Sequence, residues 1–266
     1  MKQSILAGLL LVLSGVTGLM AQKAPQPKSQ KEVEAINAMI KATTPDERIK
    51  TADFLLTKFA DTEFKAIAMQ MTAEAYEMKN DPDKMEVWCE KTIEADPKNY
   101  ACMLMIAGGT AKRARDTDLD LSEKVAKVDK YAKQALETLK DAQKPNPNIP
   151  DDQWNAAKKD YMAQAHEAFA LENVLKKKYD VAISEFKEAI DGAASPDPVT
   201  MVRLGQCYNQ AGKHDDAVAI LDKVMATPNL NPQIRQFAQA ERVRAVQAKG
   251  PAAKPAATPA ATEAPK

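Results

Sequence analysis

Apolar residues recur every three or four positions along most of the 266-residue chain. Val33, Ile36 and Ile40 begin this pattern, and Val125 and Val128 belong to a later stretch of it. This spacing places the apolar side chains on one face of a helix. No stretch has the alternating Val, Ile and Thr positions that are typical of half-buried strands. The pattern therefore predicts an all-α protein.

Capping and turn residues divide this pattern into separate helices. Thr44-Pro45-Asp46-Glu47 has the sequence of a helix start, with Thr44 as the N-cap and Glu47 three residues later. Asp81-Pro82-Asp83 predicts a turn. The segment 144–150 carries three prolines, which remove amide donors and interrupt a helix. The longer helices are expected over 99–113, 121–139 and 151–178, the last of them capped by Asp151.

A fixed offset of 35 residues relates two consecutive segments near the C-terminus. The offset matches an apolar or small residue of one segment with a similar residue of the next. The matched pairs are Phe169 with Leu204, Ala182 with Ala217, and Phe186 with Leu221. Such an offset is typical of stacked helical hairpins, because a single hairpin cannot bury its apolar face alone.

These segments resemble the tetratricopeptide repeat (TPR) family, whose motif is W-x2-L-G-x2-Y, then A-x3-F, then P. The second segment has Leu204, Gly205, Tyr208 and Ala217 at motif positions, Met201 for the Trp, Leu221 for the Phe, and Pro228 one residue early. The first segment has Ala182, Phe186 and Ala189, with Asn173 in place of the Tyr and Pro196 about two residues late. A degenerate copy over 64–97 keeps Ala73, Tyr76 and Pro97, but has Met85 and Cys89 where Ala and Phe are usual.

The resemblance implies a right-handed superhelical solenoid of about five TPR-like helical hairpins, closed by a C-terminal capping helix. The hairpins would occupy 31–143 and 151–248, on either side of the Pro-rich break at 144–150. In this family the first helices of the pairs line a surface that usually binds a peptide or a partner protein. By repeat alignment, the residues facing such a groove are Gln70, Glu74, Glu77, Leu104, Leu171, Leu175, Gln206, Asn209 and Gln210.

The first 21 residues differ from the helical region and have the pattern of a secretory signal peptide. Lys2 provides the positive start, and a short apolar run extends from Ile5 to Leu13. We expect cleavage before Gln22 and a periplasmic or secreted protein with no transmembrane segment after cleavage. Retention of this segment as a membrane anchor is the alternative.

Two segments outside the helices complete the expected organisation. Residues 22–30 contain two prolines and form a short leader. Residues 249–266 are dominated by Pro, Ala, Lys and Thr, and cannot bury enough apolar surface to offset the entropy of ordering. We therefore expect this tail to be disordered.

The charge balance argues against nucleic acid and anionic membranes as partners. The 37 Lys and Arg residues equal the 37 Asp and Glu residues, and only 5% of residues are aromatic. A nucleic-acid-binding protein usually carries a basic patch or stacking aromatic residues. The TPR resemblance and the signal segment instead imply a protein or peptide partner in the cell envelope.

The sequence predicts no catalytic, cofactor-binding or metal site. His166 and His214 lie in different repeats, and no converging partners accompany either. Asp116-x-Asp118-x-Asp120 begins like a calcium loop, but Leu121 stands where the loop needs glycine, which favours a solvated loop that caps the next helix. Gly108–Lys112 lacks the P-loop spacing. We therefore predict that the protein is not an enzyme and uses no cofactor.

Two sulfur-containing groups have alternative interpretations. Cys89 and Cys102 fall late in one helix and early in the next, so stacking could bring them together as a disulfide. Buried free thiols are the alternative. Methionines are dense at positions 69, 71, 78, 85, 103 and 105, and either fill the core or line a groove.

The repeats and the signal segment together predict an exported, non-enzymatic TPR scaffold that mediates protein–protein interaction in the bacterial cell envelope. A second hypothesis is a structural envelope component. It would act by self-association, or by cell-wall contact through the Pro/Ala-rich tail over 249–266.

Overall fold

The computed structural model describes residues 25–249, and its regular structure over that range is entirely helical. The predicted signal peptide over 1–21 and residues 250–266 of the predicted tail lie outside the described residues. Within that range the helices are α1 (Gln30–Lys41), α2 (Pro45–Lys58), α3 (Lys65–Met78), α4 (Pro82–Ala95), α5 (Tyr100–Arg113), α6 (Leu121–Asp141), α7 (Asp151–Leu175), α8 (Tyr179–Gly192), α9 (Pro198–Gln210), α10 (His214–Met225) and α11 (Pro232–Ala248). The all-α prediction is confirmed.

Consecutive helices pack as pairs, α1 with α2, α3 with α4, α5 with α6, α7 with α8, and α9 with α10. Each later first helix also packs against the second helix of the preceding pair. The last helix, α11, packs against both α9 and α10 and so covers the end of the final pair. This is the predicted stack of helical hairpins. The handedness of the stack and the number of true repeats remain predictions.

Capping side chains start several helices where the sequence predicts them. The Thr44 hydroxyl accepts a hydrogen bond from the Glu47 amide at 3.2 Å, and the Glu47 carboxylate accepts one from the Thr44 amide at 3.3 Å. This reciprocal capping box begins α2. Asp81 caps α4 through the Lys84 amide, directly before a proline at the first helical position.

The predicted cap at Asp151 is wrong, and the acidic loop before α6 makes no side-chain cap bond to that helix through Asp120. The N-cap of α7 is Pro150, so Asp151 is the first helical residue and does not cap. Asp120 precedes α6 but forms no side-chain cap bond. It is Asp118 that organises this loop, because its carboxylate accepts from the Arg115 amide at 2.9 Å and pairs with Lys124.

The apolar core is divided into four clusters along the stack, as expected when each pair contacts only its neighbours. The largest lies between α3 and α7 and includes Ile106 and Leu139, both fully buried. Most methionines of the dense group contribute to the core. Met71, Met85 and Met103 are buried, whereas Met78 is 61% exposed. Core filling therefore explains most of the group.

Asp–Lys ion pairs mark the repeat on the surface of the stack. Each joins an aspartate in the first turn of a second helix to a lysine 33 or 34 residues later. The pairs are Asp46 with Lys79, Asp180 with Lys213, and Asp215 with Lys249. Their aspartate side chains are at least 80% exposed, so water screens the attraction and each pair adds little stability.

The helices on either side of the Pro-rich segment pack directly against each other. The segment between α6 and α7 is not helical, as predicted. Lys158 in α7 donates to the Lys140 carbonyl oxygen in α6 at 2.8 Å, and Lys144 pairs with Asp151 at 2.6 Å. The prolines therefore connect two helices that are in contact.

The turn between α7 and α8 holds a lysine in a backbone conformation that favours glycine. Lys177 has φ 57°, and Gly212 occupies the same turn 35 residues later with φ 72°. The left-handed region costs an L-residue energy because its Cβ approaches the carbonyl oxygen. Lys177 also explains why α7 ends at Leu175 rather than at 178.

The variant Lys177→Gly is expected to raise the free energy of unfolding by about 0.5–1 kcal/mol, because it removes this strain. Urea unfolding followed by circular dichroism measures the change. The matched control is Gly212→Ala, which introduces a Cβ at φ 72° and is expected to lower stability by a similar amount. A loss of stability in Lys177→Gly, or a gain in Gly212→Ala, would contradict the assignment of strain.

Candidate protein-binding face

Side-chain contacts connect the first helices of successive pairs into one surface, which we call the first-helix face. It runs over α3, α5, α7 and α9 to α11. Its members are polar or aromatic side chains that touch a neighbouring helix of the face or its N-cap, together with Glu74, which accepts a hydrogen bond from Gln70. They are Gln70, Glu74, Asn99, Tyr100, Lys112, Tyr161, Glu167, Thr200, Arg203, Gln206, Asn209 and Glu241.

At the N-terminal end of the face, an amide relay joins α3 to the start of α5. The Asn99 side-chain amide donates to Gln70 Oε1 at 2.8 Å, and Gln70 Nε2 donates to Glu74 Oε1 at 2.9 Å. Burial raises the pKa of Glu74 above its ordinary value, while the Gln70 hydrogen bond and the Arg48 charge oppose that shift. The carboxylate at Glu74 is thus held in partly desolvated surroundings at some cost to stability.

An aromatic pair continues the face from α5 to α7. The rings of Tyr100 and Tyr161 lie with centroids 5.1 Å apart and planes tilted by 58°. Burial, and then the neighbouring Tyr161, raises the pKa of Tyr100. Burial also raises the pKa of Tyr161, and the charge of Glu74 adds to this shift. The aromatic pair therefore lies beside the amide relay.

The centre of the face is a buried carboxylate that joins three first helices. Glu167 in α7 accepts a hydrogen bond from the Thr200 hydroxyl at 2.8 Å and pairs with Arg203, both in α9. Its other oxygen lies 3.4 Å from Lys112 Nζ in α5. Burial alone would raise the pKa of Glu167, but Lys112, Arg203 and the Thr200 hydroxyl together hold it below its ordinary value. Glu167 is therefore an ionised, well-partnered group.

A second carboxylate attaches the capping helix to the face. Glu241 in α11 accepts from Asn209 Nδ2 at 3.1 Å and from Gln206 Nε2 at 3.4 Å, both on α9. Arg244 pairs with the same carboxylate at 3.0 Å. Glu241 thus fixes the last helix, α11, to α9.

The predicted groove residues occupy three kinds of position. Gln70, Gln206 and Asn209 take part in contacts between helices of the face, and Glu74 accepts a hydrogen bond from Gln70 within α3. Glu77 and Gln210 are exposed, and Leu171 and Leu175 are half-buried. Leu104 is 5% exposed and belongs to the largest core cluster, so in this conformation it packs and offers no surface to a partner.

Sequence reasoning missed the residues that join the face most strongly. Tyr100, Tyr161, Glu167 and Arg203 belong to no motif, and only the stacking of helices brings them together. The one available signal was the separation of 33 residues between Glu167 and Thr200, which is close to one repeat length.

The two histidines and the acidic side chains of the described residues do not form a metal site. No group of three or more His, Cys, Asp and Glu side chains between residues 25 and 249 is placed to hold a metal ion. His166 Nδ1 lies 2.8 Å from Glu185, and His214 Nδ1 lies 3.4 Å from Asn209. Both histidines therefore have structural partners.

A surface cavity of about 560 Å³ lies where α4, α5 and α6 meet. Charged side chains of both signs line it, including Glu86 and Lys127, which pair directly. The buried Thr110 hydroxyl also lines it and has no hydrogen-bond partner. The mixed charges do not select a ligand of one sign.

The three cysteines are free and buried in the structure. The adjacent Cys102 side chain, followed by burial, raises the pKa of the Cys89 thiol, and burial raises the pKa of Cys207 to about 11. The Cys89 and Cys207 thiols are therefore protonated and weakly reactive at neutral pH. A disulfide between Cys89 and Cys102 stays a prediction for the oxidised protein.

Comparison with known proteins agrees with this architecture. Residues 174–241 match the tetratricopeptide repeat family, a range that holds α8, α9, α10 and the first part of α11. This part of the chain therefore has the sequence of tetratricopeptide repeats. No helix between residues 25 and 249 is long and apolar enough to cross a membrane.

Two solved structures match the chain at low sequence identity. One is a thermophilic TPR protein in Thermus thermophilus, with a TM-score of 0.48, 16% identity, and coverage of 80% of this chain and 96% of that one. The other is the assembly chaperone of RpL4 (Acl4), with a TM-score of 0.42, 10% identity, and coverage of 84% and 98%. No curated protein matches the chain.

Proposed function

We propose that this protein is an exported, non-enzymatic scaffold that binds a protein or peptide partner in the bacterial cell envelope through the first-helix face. The observation that carries the proposal is the continuity of this face. Its helices are joined by direct side-chain contacts from Gln70 to Glu241. A face fixed in this way loses little conformational freedom when a partner binds.

The chemistry of the face supports a polar, extended partner segment. Glu74 and Tyr161 offer a carboxylate and an aromatic ring at one end, while Lys112 and Arg203 bring positive charge to the centre. Ionisable groups that are partly desolvated at a cost to stability are common at binding sites, and Glu74 is such a group. The exposed Glu77 and Gln210 extend the face toward solvent.

The envelope location rests on the sequence of residues 1–21, which has the order of a cleaved secretory signal. Cell fractionation followed by N-terminal sequencing tests it. We expect a mature protein that begins at Gln22 in the periplasmic or secreted fraction. An intact N-terminus in the membrane fraction would favour the retained anchor.

Site-specific photo-crosslinking in living cells tests the binding face. A photoreactive residue placed at Glu77 or at Gln210 is expected to crosslink to the same partner, identified by mass spectrometry. The matched control positions are Glu94 and Glu188, which are also exposed but lie on the second helices α4 and α8. We expect no crosslink to that partner from these positions.

Two results of the crosslinking experiment would contradict the proposal. Equal crosslinking from all four positions would show that the first-helix face has no special role. Crosslinks only between copies of this chain, or between its tail and the cell wall, would favour the structural component that acts by self-association or wall contact.

A further inference from the structure

Sulfur atoms from α4 and α5 meet at the largest core cluster. The Cys89 Sγ atom lies 3.8 Å from Met85 Sδ and 3.9 Å from Met105 Sδ. The Cys102 side chain lies beside that of Cys89. Met85 and Cys89 are one helical turn apart on α4, while Cys102 and Met105 are three residues apart on α5. The two helices thus present their sulfur-bearing faces to each other.

The spacing of these sulfur atoms fits ligands of one metal ion. With a metal–sulfur bond of about 2.3 Å, two sulfur ligands lie about 3.8 Å apart in a tetrahedral site and about 4.0 Å apart in a trigonal one. The observed separations of 3.8 and 3.9 Å fall in this range. The Cys89 sulfur therefore lies at the spacing of a shared metal from each of the two methionine sulfurs.

The surrounding residues hold these ligands in place and restrict the access of water. Cys89 and Cys102 are fully buried, and Met85 is 2% exposed. Gly109 of α5 leaves room for the end of the Met85 side chain, because a Cβ at this glycine would lie 3.2 Å from Met85 Cε. Met105 is only half-buried, so it provides the side from which an ion can enter.

The ligand types select the ion. Thiolate and thioether sulfur are soft ligands that favour Cu(I), whereas Mg²⁺ and Ca²⁺ need oxygen ligands. Both histidines are engaged elsewhere, with Glu185 and Asn209. One cuprous ion and one cysteine thiolate have no net charge together, which suits a buried apolar site. Binding would release the thiol proton of Cys89 to solvent.

We propose that Met85, Cys89 and Met105, with Cys102 beside them, form a binding site for Cu(I). The site lies between α4 and α5, on side chains that do not belong to the first-helix face. It is therefore independent of the proposed partner binding. The ion would crosslink two successive helix pairs of the stack.

Competition with a chromophoric Cu(I) chelator tests the site, using the purified, fully reduced chain without oxygen. We expect one Cu(I) per chain and an X-ray absorption spectrum with at least three sulfur neighbours at about 2.3 Å. Thiol titration of the denatured protein must first find all three cysteines reduced. A failure to bind Cu(I) then cannot be attributed to a disulfide. Absence of binding above the chelator background would overturn the proposal.

Variants distinguish this site from adventitious binding. Cys89→Ser is expected to abolish binding, and Met85→Leu and Met105→Leu are expected to weaken it at least tenfold. The controls Cys207→Ser and Met78→Leu should bind like the parent protein. Loss of binding in Cys207→Ser, or unchanged affinity in both Met85→Leu and Met105→Leu, would contradict the site. Leucine preserves the volume of methionine, and thermal melts without metal verify that each variant is folded.

Discussion

Replacing Gly205 with alanine is expected to lower the free energy of unfolding by about 2–3 kcal/mol, as measured by urea unfolding. Gly205 is the glycine of the repeat motif in α9, and α10 packs directly over it. A Cβ at this position would lie 2.7 Å from both Cδ2 and Cγ of Leu221, which is completely buried. Leu221 cannot withdraw without disturbing the core, so overpacking by one methyl group is costly here.

The matched control for Gly205→Ala is Gly108→Ala in α5. Gly108 lies inside a helix too, but a Cβ there would meet no atom within 4 Å. Alanine has the higher helix propensity, so this variant is expected to gain about 0.5–1 kcal/mol. In the Leu221→Ala background, the cost of Gly205→Ala should disappear because the clashing atoms are absent. A similar cost in both backgrounds would show that close packing on Leu221 is not the cause.

Replacing Glu167 with glutamine is expected to lower the free energy of unfolding by about 2 kcal/mol at neutral pH. The change removes the negative charge that pairs with both Arg203 and Lys112. It also replaces one acceptor oxygen with an amide NH2 group, which cannot accept hydrogen bonds from Thr200 and Arg203. Removing one partner of a fully buried pair costs about 3–5 kcal/mol. The partners here are 26% and 47% exposed, so water compensates part of the loss.

The control for Glu167→Gln is Glu137→Gln, which removes an ion pair with Lys140 on the outer surface. Both of its side chains are at least 60% exposed, so this variant is expected to change stability by less than about 0.5 kcal/mol. Equal losses in the two variants would show that the buried position of Glu167 has no special effect.

The destabilisation by Glu167→Gln should also depend on pH. The pKa of Glu167 in the folded protein lies below its ordinary value of 4.5. Its charge therefore adds stability that is fully present above pH 4.5 and disappears as the pH falls through the folded-state pKa. Urea unfolding at a series of pH values should show the gap between parent and variant closing in acid. A gap that stays constant below pH 4.5 would contradict the assignment.

Sequence reasoning found the stack because its determinants are local or periodic. The capping box at Thr44 is a local signal, and the match of Ala182 with Ala217 is a periodic one. Each of these signals can be read from a single chain, because it lies within one turn or recurs at the repeat length. The wrong cap at Asp151 shows that residue type alone does not fix the first residue of a helix.

The candidate site was less predictable because its contacts cross between helices. Repeat alignment assigned Gln70, Asn209 and Leu104 alike to the groove, whereas the structure places the first two at contacts between helices and buries Leu104 in the core. The environment of Glu167 depends on α5 and α9, which lie far from it in sequence. Such contacts depend on side-chain direction, and a degenerate repeat does not fix that direction.

The length of α7 has a mechanical consequence. Its 25 residues span about 37 Å, while the 14 residues of its partner α8 span about 21 Å. The helix packs against α5 and α6 of the preceding pair as well as against its own partner α8. A force that pulls the two ends of the stack apart must shear α6 from α7 before the prolines at 144–150 can extend. The contact between α6 and α7 thus protects the Pro-rich segment from tension, and α7 transmits the force between the helices before that segment and the helices after it.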